Sequence, residues 1–166
     1  LCNSYRIGQG MDILILRFDH IYGIPQKGEQ LGDQCFKLCL EALKTGKISA
    51  NSRNSFSMIY LKDAVELAYK VIVDTRPLHT CYHISSMEEI DEMQLAVLVQ
   101  RHMGEKIEIV DNSVGERHRM LLDGKRYEKE YPMKIFVQYD TGVQKVVQYM
   151  KSHRESFLED EDSGAG

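Results

Sequence analysis

The sequence predicts an α/β fold, and three observations carry that expectation. Residues 12–17 (Asp-Ile-Leu-Ile-Leu-Arg) form a short apolar run bracketed by charge, the pattern of a strand buried on both faces of a parallel sheet. Residues 31–45 place Cys35, Phe36, Cys39, Leu40, Ala42 and Leu43 at helical spacing, and Gly46 supplies the left-handed residue that ends such a helix. Beyond them strand-like and helix-like segments alternate almost to the C-terminus.

Each later element has its own warrant. Residues 47–49 read as a short strand, and residues 56–61 as a β-rich run that passes directly into a helix ending near residue 73. Asp63, with Glu66 three positions on, is the expected N-cap of that helix. Residues 81–84 form another short apolar strand. Asp91 and Gln94 have the spacing of a capping box for a helix reaching His102, closed by Gly104. Alternation over 106–110 predicts a half-buried edge strand. Residues 123–131 predict a short charged helix broken by Pro132, and Val143, Val146, Val147 and Met150 the apolar stripe of a last helix.

Composition narrows the function classes. A chain of 166 residues, 43% hydrophobic and 28% charged, is long enough for one domain with a sizeable core. The net charge of −4 argues against a sequence-independent grip on nucleic acid, which needs a basic face to release counterions. No apolar run approaches the ~18 residues of a membrane span. The first residues, Leu1-Cys2-Asn3-Ser4-Tyr5, lack the basic and apolar regions of a signal peptide and read as cut from a longer chain. Residues 157–166 end in an acidic run followed by small residues and are expected as a solvated tail, leaving 1–156 as the folded part. Reduced thiols in a cytoplasmic protein are the corresponding expectation. Cys35 and Cys39 share a helix face, and His79, Cys81 and His83 a strand face, but these spacings match no common zinc motif, so core packing is expected and metal is not.

Catalytic motifs are sparse. Gly8-Gln9-Gly10 lacks the third glycine of a dinucleotide fingerprint and precedes a strand instead of following one, so it reads as a turn. There is no Walker loop, no Gly-x-Ser-x-Gly elbow and no His-Glu-x-x-His, and none of the nine tyrosines has a lysine four residues later. What remains is a candidate phosphate clamp. Arg117, His118 and Arg119 follow Gly115, and Arg53 sits in a polar loop; arginine presents a planar fork suited to bidentate phosphate binding.

Read in order, these segments resemble the C-terminal half of an extended short-chain dehydrogenase/reductase, the NAD-dependent epimerase/dehydratase family acting on nucleotide sugars. Residues 10–23, ending His20-Ile21-Tyr22-Gly23, are similar to the family's Gly-Leu…Leu-Arg-Pro-x-Asn-Val-Tyr-Gly-Pro stretch. Residues 58–65 resemble Phe-Val-Tyr-Val-Asp-Asp-Val-Ala, and residues 81–86 resemble Val-Tyr-Asn-Ile-Gly-Ser. The segment from Gly115 to Asp123 resembles Gly-x-x-x-Arg-x-x-x-Asp, and Gly142 falls where the closing helix carries its glycine.

The resemblance, spanning about residues 1–153, implies the last strands of a Rossmann-type parallel sheet plus a small substrate-binding lobe, with the nucleotide-binding half upstream. It implies a UDP- or dTDP-linked sugar as substrate and NAD or NADP as cofactor, bound mainly by that upstream half together with the catalytic Tyr and Lys. It also implies a homodimer when full length. Carried over by position, His20 stands where the family's loop Asn sits beside the nicotinamide, and Tyr22 lines the same turn. Gly23, Arg53 and Arg119 are the implied substrate-side residues, Arg119 matching the arginine that clamps the diphosphate. The position four before Tyr60, where the family has its other arginine, is Phe56. The alternative implied by these departures is a non-catalytic module that binds nucleotide sugar or another protein.

Overall fold

A computed structural model describes residues 2–25, 32–104, 106–132 and 136–158. The chain opens with helix α1 (Cys2–Gln9), and Gly10 at φ +64° turns it into the first strand. Gly8 and Gln9 therefore close a helix, and only Gly10 belongs to the expected turn. Strands β1 (Ile15–Phe18) and β2 (His20–Tyr22) follow, then α2 (Gln34–Thr45), β3 (Lys47–Ala50), β4 (Asn54–Tyr60) and α3 (Leu61–Val73). The second half comprises β5 (Cys81–Ile84), β6 (Glu89–Asp91), α4 (Glu92–Met103), β7 (Glu108–Asp111), β8 (His118–Met120), α5 (Lys125–Glu130), α6 (Tyr139–Ser152) and α7 (Arg154–Leu158). The alternation expected from the sequence is present, with parallel pairing dominant.

Strand β1 pairs in parallel with β5, Leu16 opposite Tyr82 and Phe18 opposite Ile84. Leu14, Leu16, Phe18, Tyr82 and Ile84 pack with Leu67 and Val71 of α3 and Tyr127 of α5, forming the smaller of two apolar clusters. The strand begins at Ile15 rather than residue 12 and is half-buried rather than buried on both faces. The physical reason is that, among the described residues, β5 is its sole neighbour, so one edge and part of one face stay open.

The larger cluster lies where α2, α4 and α6 pack together against β3 and β4. Cys35 and Cys39 are fully buried in it, side by side on α2, as core residues. Val143, Val146, Val147 and Met150 form the buried stripe of α6. Asp33 caps α2 by accepting the Phe36 amide at 2.9 Å, and Gly46 ends it at φ +70°. On α4, Asp91 and Gln94 complete the expected capping box, with Gly104 at φ +67°.

Three expectations shift. Helix α3 begins two residues before Asp63, so that residue is not the cap; it is buried in the first turn, where Oδ2 accepts the Val137 amide at 2.7 Å. The strand expected at 106–110 runs Glu108–Asp111 and is largely exposed, because among the described residues it pairs only with β3 while Ile107 supplies the buried contact. The folded part extends past residue 156: Phe157 is buried on α7, its ring 5.8 Å from that of Phe36 and 6.4 Å from that of Tyr149. An acidic tail can therefore start no earlier than residue 159, and residues 159–166 lie outside the described ones. Among the described residues no helix is long and apolar enough to cross a membrane, and no group of three His, Cys, Asp or Glu could hold a metal ion.

Candidate functional site

Strand β4 organises the site. Its second half pairs in parallel with β2, His20 opposite Met58 and Tyr22 opposite Tyr60. Its first half pairs with β6 on one edge and with β8 in parallel, His118 opposite Asn54 and Met120 opposite Phe56. Because β6 occupies the edge opposite β2 along Ser55–Ser57, β8 shares the β2 edge. Side chains paired this way project to one face, so His20, Phe56, His118 and Met120 stand together.

These four line a cavity of about 420 Å³ with Gln34 and Lys37 from the start of α2, Asn54 of β4 and Glu92 of α4. The His20 ring lies 5.1 Å from that of Phe56, and its buried Nε2 has no hydrogen-bond partner. An unpaired buried nitrogen is costly unless something supplies the missing bond. Glu92, by contrast, is fully engaged: Oε2 accepts the Asn51 amide at 2.9 Å and Oε1 accepts from Asn54 Nδ2 at 3.0 Å. The cavity wall thus combines the His20 ring, Lys37, Phe56 and Met120.

Of the five residues implied by the resemblance, the structure brings His20 alone into this cavity, and of the candidate phosphate clamp it adds His118. Tyr22 is buried in the core, edge-on to Tyr60 and Tyr139 with ring centroids at 5.5 and 6.3 Å, and burial pushes its phenol well above the usual range. Gly23 serves close packing: a Cβ there would lie 2.9 Å from Leu61 Cβ, where the end of β2 meets the start of α3. Arg53 donates to the Gly115 carbonyl, holding the loop before β8. Arg119 lies between His118 and Met120 on β8 and so points to the other face. There its fork grips Glu89, Nε to Oε1 at 3.1 Å and Nη2 to Oε2 at 2.9 Å, with Arg117 adding a longer contact at 3.5 Å. The Arg119 fork holds the Glu89 carboxyl down to about 2.

The surrounding frame is fixed by polar contacts. Tyr139 Oη accepts the Met58 amide at 3.0 Å and donates to the Glu88 carbonyl at 2.6 Å, tying α6 to the sheet and to the loop before β6. Buried Asp19 accepts the Ser86 amide at 2.9 Å, linking the β1–β2 junction to the end of β5.

The chain superposes on known enzymes over most of its length. It resembles dTDP-glucose 4,6-dehydratase from Bacillus anthracis, solved with NAD, at TM-score 0.75 and 17% identity, covering 93% of this chain and 49% of that one. UDP-glucuronic acid 4-epimerase from Bacillus cereus, solved with UDP-glucuronic acid and NAD, matches at TM-score 0.74 and 15% identity, over 92% and 49%. An epimerase from Methanothermobacter thermautotrophicus matches at TM-score 0.79 and 12% identity, over 93% and 48%. The fold is that of part of an NAD-dependent epimerase or dehydratase. The chain spans about half the length of the solved chains it matches, in keeping with a C-terminal part. No family model matches the chain, and no curated protein sequence does.

Gly8 and Gln9 belong to a helix, and Tyr22 is enclosed in the core. His118 belongs to the clamp expected from the sequence, and its alternation with Arg119 on a short strand lets only one of the two face the cavity.

Proposed function

We propose that this chain is the substrate-binding portion of an NAD(P)-dependent nucleotide-sugar epimerase or 4,6-dehydratase, with the catalytic Tyr and Lys and the dinucleotide seat on a preceding half. The observation that carries the proposal is the cavity at β2, β4 and β8, lined by His20, Lys37, Phe56 and His118. An aromatic floor suits the apolar face of a sugar or base, and the polar groups suit hydroxyls and phosphate. Support also comes from the fold shared with enzymes solved with UDP-glucuronic acid and with NAD. NAD or NADP would be held mainly by the other half, and the UDP- or dTDP-linked sugar by this one. A homodimer of the whole, cytoplasmic protein fits the same reading.

A specific observation favours a second reading. Phe56 stands where the resemblance places an arginine, and Arg119 is engaged by Glu89, so a non-catalytic module that binds nucleotide sugar, or a protein-interaction module, is the alternative. Calorimetric titration with UDP, dTDP and their glucose conjugates tests the binding claim. Saturable binding of a sugar nucleotide, with AMP inert, is expected; a folded chain indifferent to all of them overturns it. Turnover of the bound sugar by the whole protein with NAD then separates enzyme from module.

A further inference from the structure

Helix α3 is apolar on two sides. Ala64, Leu67 and Val71 are buried in the smaller apolar cluster, against β4 and β5. With 3.6 residues per turn, Val65, Tyr69 and Ile72 fall on the side turned away from the sheet, and they are 58%, 65% and 67% exposed. Leu61 and Val73 extend the stripe at its ends. These five side chains leave on the order of 500 Å² in water, the upper range of what one soluble chain exposes in a single patch. A strand added at the open edge of β1, with a helix of its own, would lie beside α3 and leave this outer face bare.

The charges beside the stripe say what fits it. Lys62, Glu66 and Lys70 stand four residues apart along one side, all exposed, and Asp74, held by the Tyr131 hydroxyl at 2.7 Å, closes the row. The row reads plus, minus, plus, minus. Reversed, it is its own complement: laid antiparallel, Lys62 meets Asp74 of a second copy and Glu66 meets Lys70. The same register sets Val65 against Ile72 of the second copy and brings the two Tyr69 rings together at the axis. A parallel pairing would set like charge against like.

We propose that the outer face of α3 is a self-association surface that takes a second copy of this chain, antiparallel and two-fold. With the charged rows included, the contact approaches the ~800 Å² per copy of a standard interface. No α3 residue lines the cavity at β2, β4 and β8, so the inference is independent of the sugar-nucleotide reading.

Sedimentation equilibrium of the full chain, at micromolar to sub-millimolar concentration, tests it. The parent should associate reversibly to a dimer, and Val65→Ser with Tyr69→Ser should weaken the dimer by about tenfold or more. These are exposed positions, and circular dichroism confirms that each variant is folded. Glu66→Lys and Lys70→Glu should each weaken self-association by about tenfold or more, because the two copies then set like charges opposite one another. An equimolar mixture of those two variants should regain the dimer, since each supplies the charge that the other lacks. A parent that stays monomeric, or a dimer indifferent to Val65 and Tyr69, overturns the proposal. A dimer lost with the apolar variants but blind to both charge reversals overturns the antiparallel arrangement.

Discussion

Gly142 on α6 lies against the ring of Tyr22 so closely that a Cβ at that position would fall 2.8 Å from Tyr22 Cζ and overlap the phenol oxygen. Helix α6 reaches the sheet only because this residue has no side chain. Gly142→Ala should therefore destabilise the chain by about 1–3 kcal/mol in chemical denaturation. Tyr22 Oη is buried and has no hydrogen-bond partner, so Tyr22→Phe alone should cost little and should recover part of the loss in the double variant. Additive effects would mean that the helix moves aside instead.

The Glu89–Arg119 pair sets a pH dependence with a definite sign. Glu89 is depressed from its ordinary 4.5 to about 2, chiefly by the Arg119 fork, with Arg117 contributing. What this pair adds to stability is present above about 4.5 and lost as the pH falls toward about 2. Carbon-detected titration should place the Glu89 carboxyl well below the ordinary 4.5, and Arg119→Ala should return it toward that value. An unchanged midpoint in that variant would assign the depression to another group.

Asp63 gives a third test. Its buried carboxylate is the acceptor for the Val137 amide, joining the first turn of α3 to the segment that leads into α6. Asp63→Ala should cost about 1–3 kcal/mol, because the amide is left without its partner. If Asp63 were only a helix cap, Asp63→Ser would restore most of the stability; here it should not, since the shorter side chain cannot reach Val137.

Much of the fold was legible because it is written in local patterns. Asp91 with Gln94, Gly46, Gly104 and the stripe of Val143, Val146, Val147 and Met150 act within one helix, where spacing alone decides the outcome. Asp63 is not legible in this way, because a buried carboxylate bonded to a residue 74 positions away has, in sequence, the pattern of an N-cap. Phe157 was assigned to a tail because its partners, Phe36 and Tyr149, are contributed by other helices. The site was legible at His20 and, within a cluster, at His118. Arg119 and His118 are neighbours in sequence, and which of them faces the cavity is fixed by the register of β8 on β4, a long-range pairing that no local pattern encodes.

The most direct measurement of the central claim is NMR mapping of UDP-glucose binding on a chain carrying labelled methionine methyls. Met120 lines the proposed cavity, while Met103 and Met150 are buried in the core, so the three serve as probe and controls. With UDP-glucose in this cavity, the Met120 methyl and the His20 and His118 ring signals shift saturably while Met103 and Met150 stay unmoved. Saturable binding that leaves Met120 and both histidines unchanged, with shifts centred instead on the cavity lined by Cys81, His83, Asp123 and Arg126, would contradict that placement.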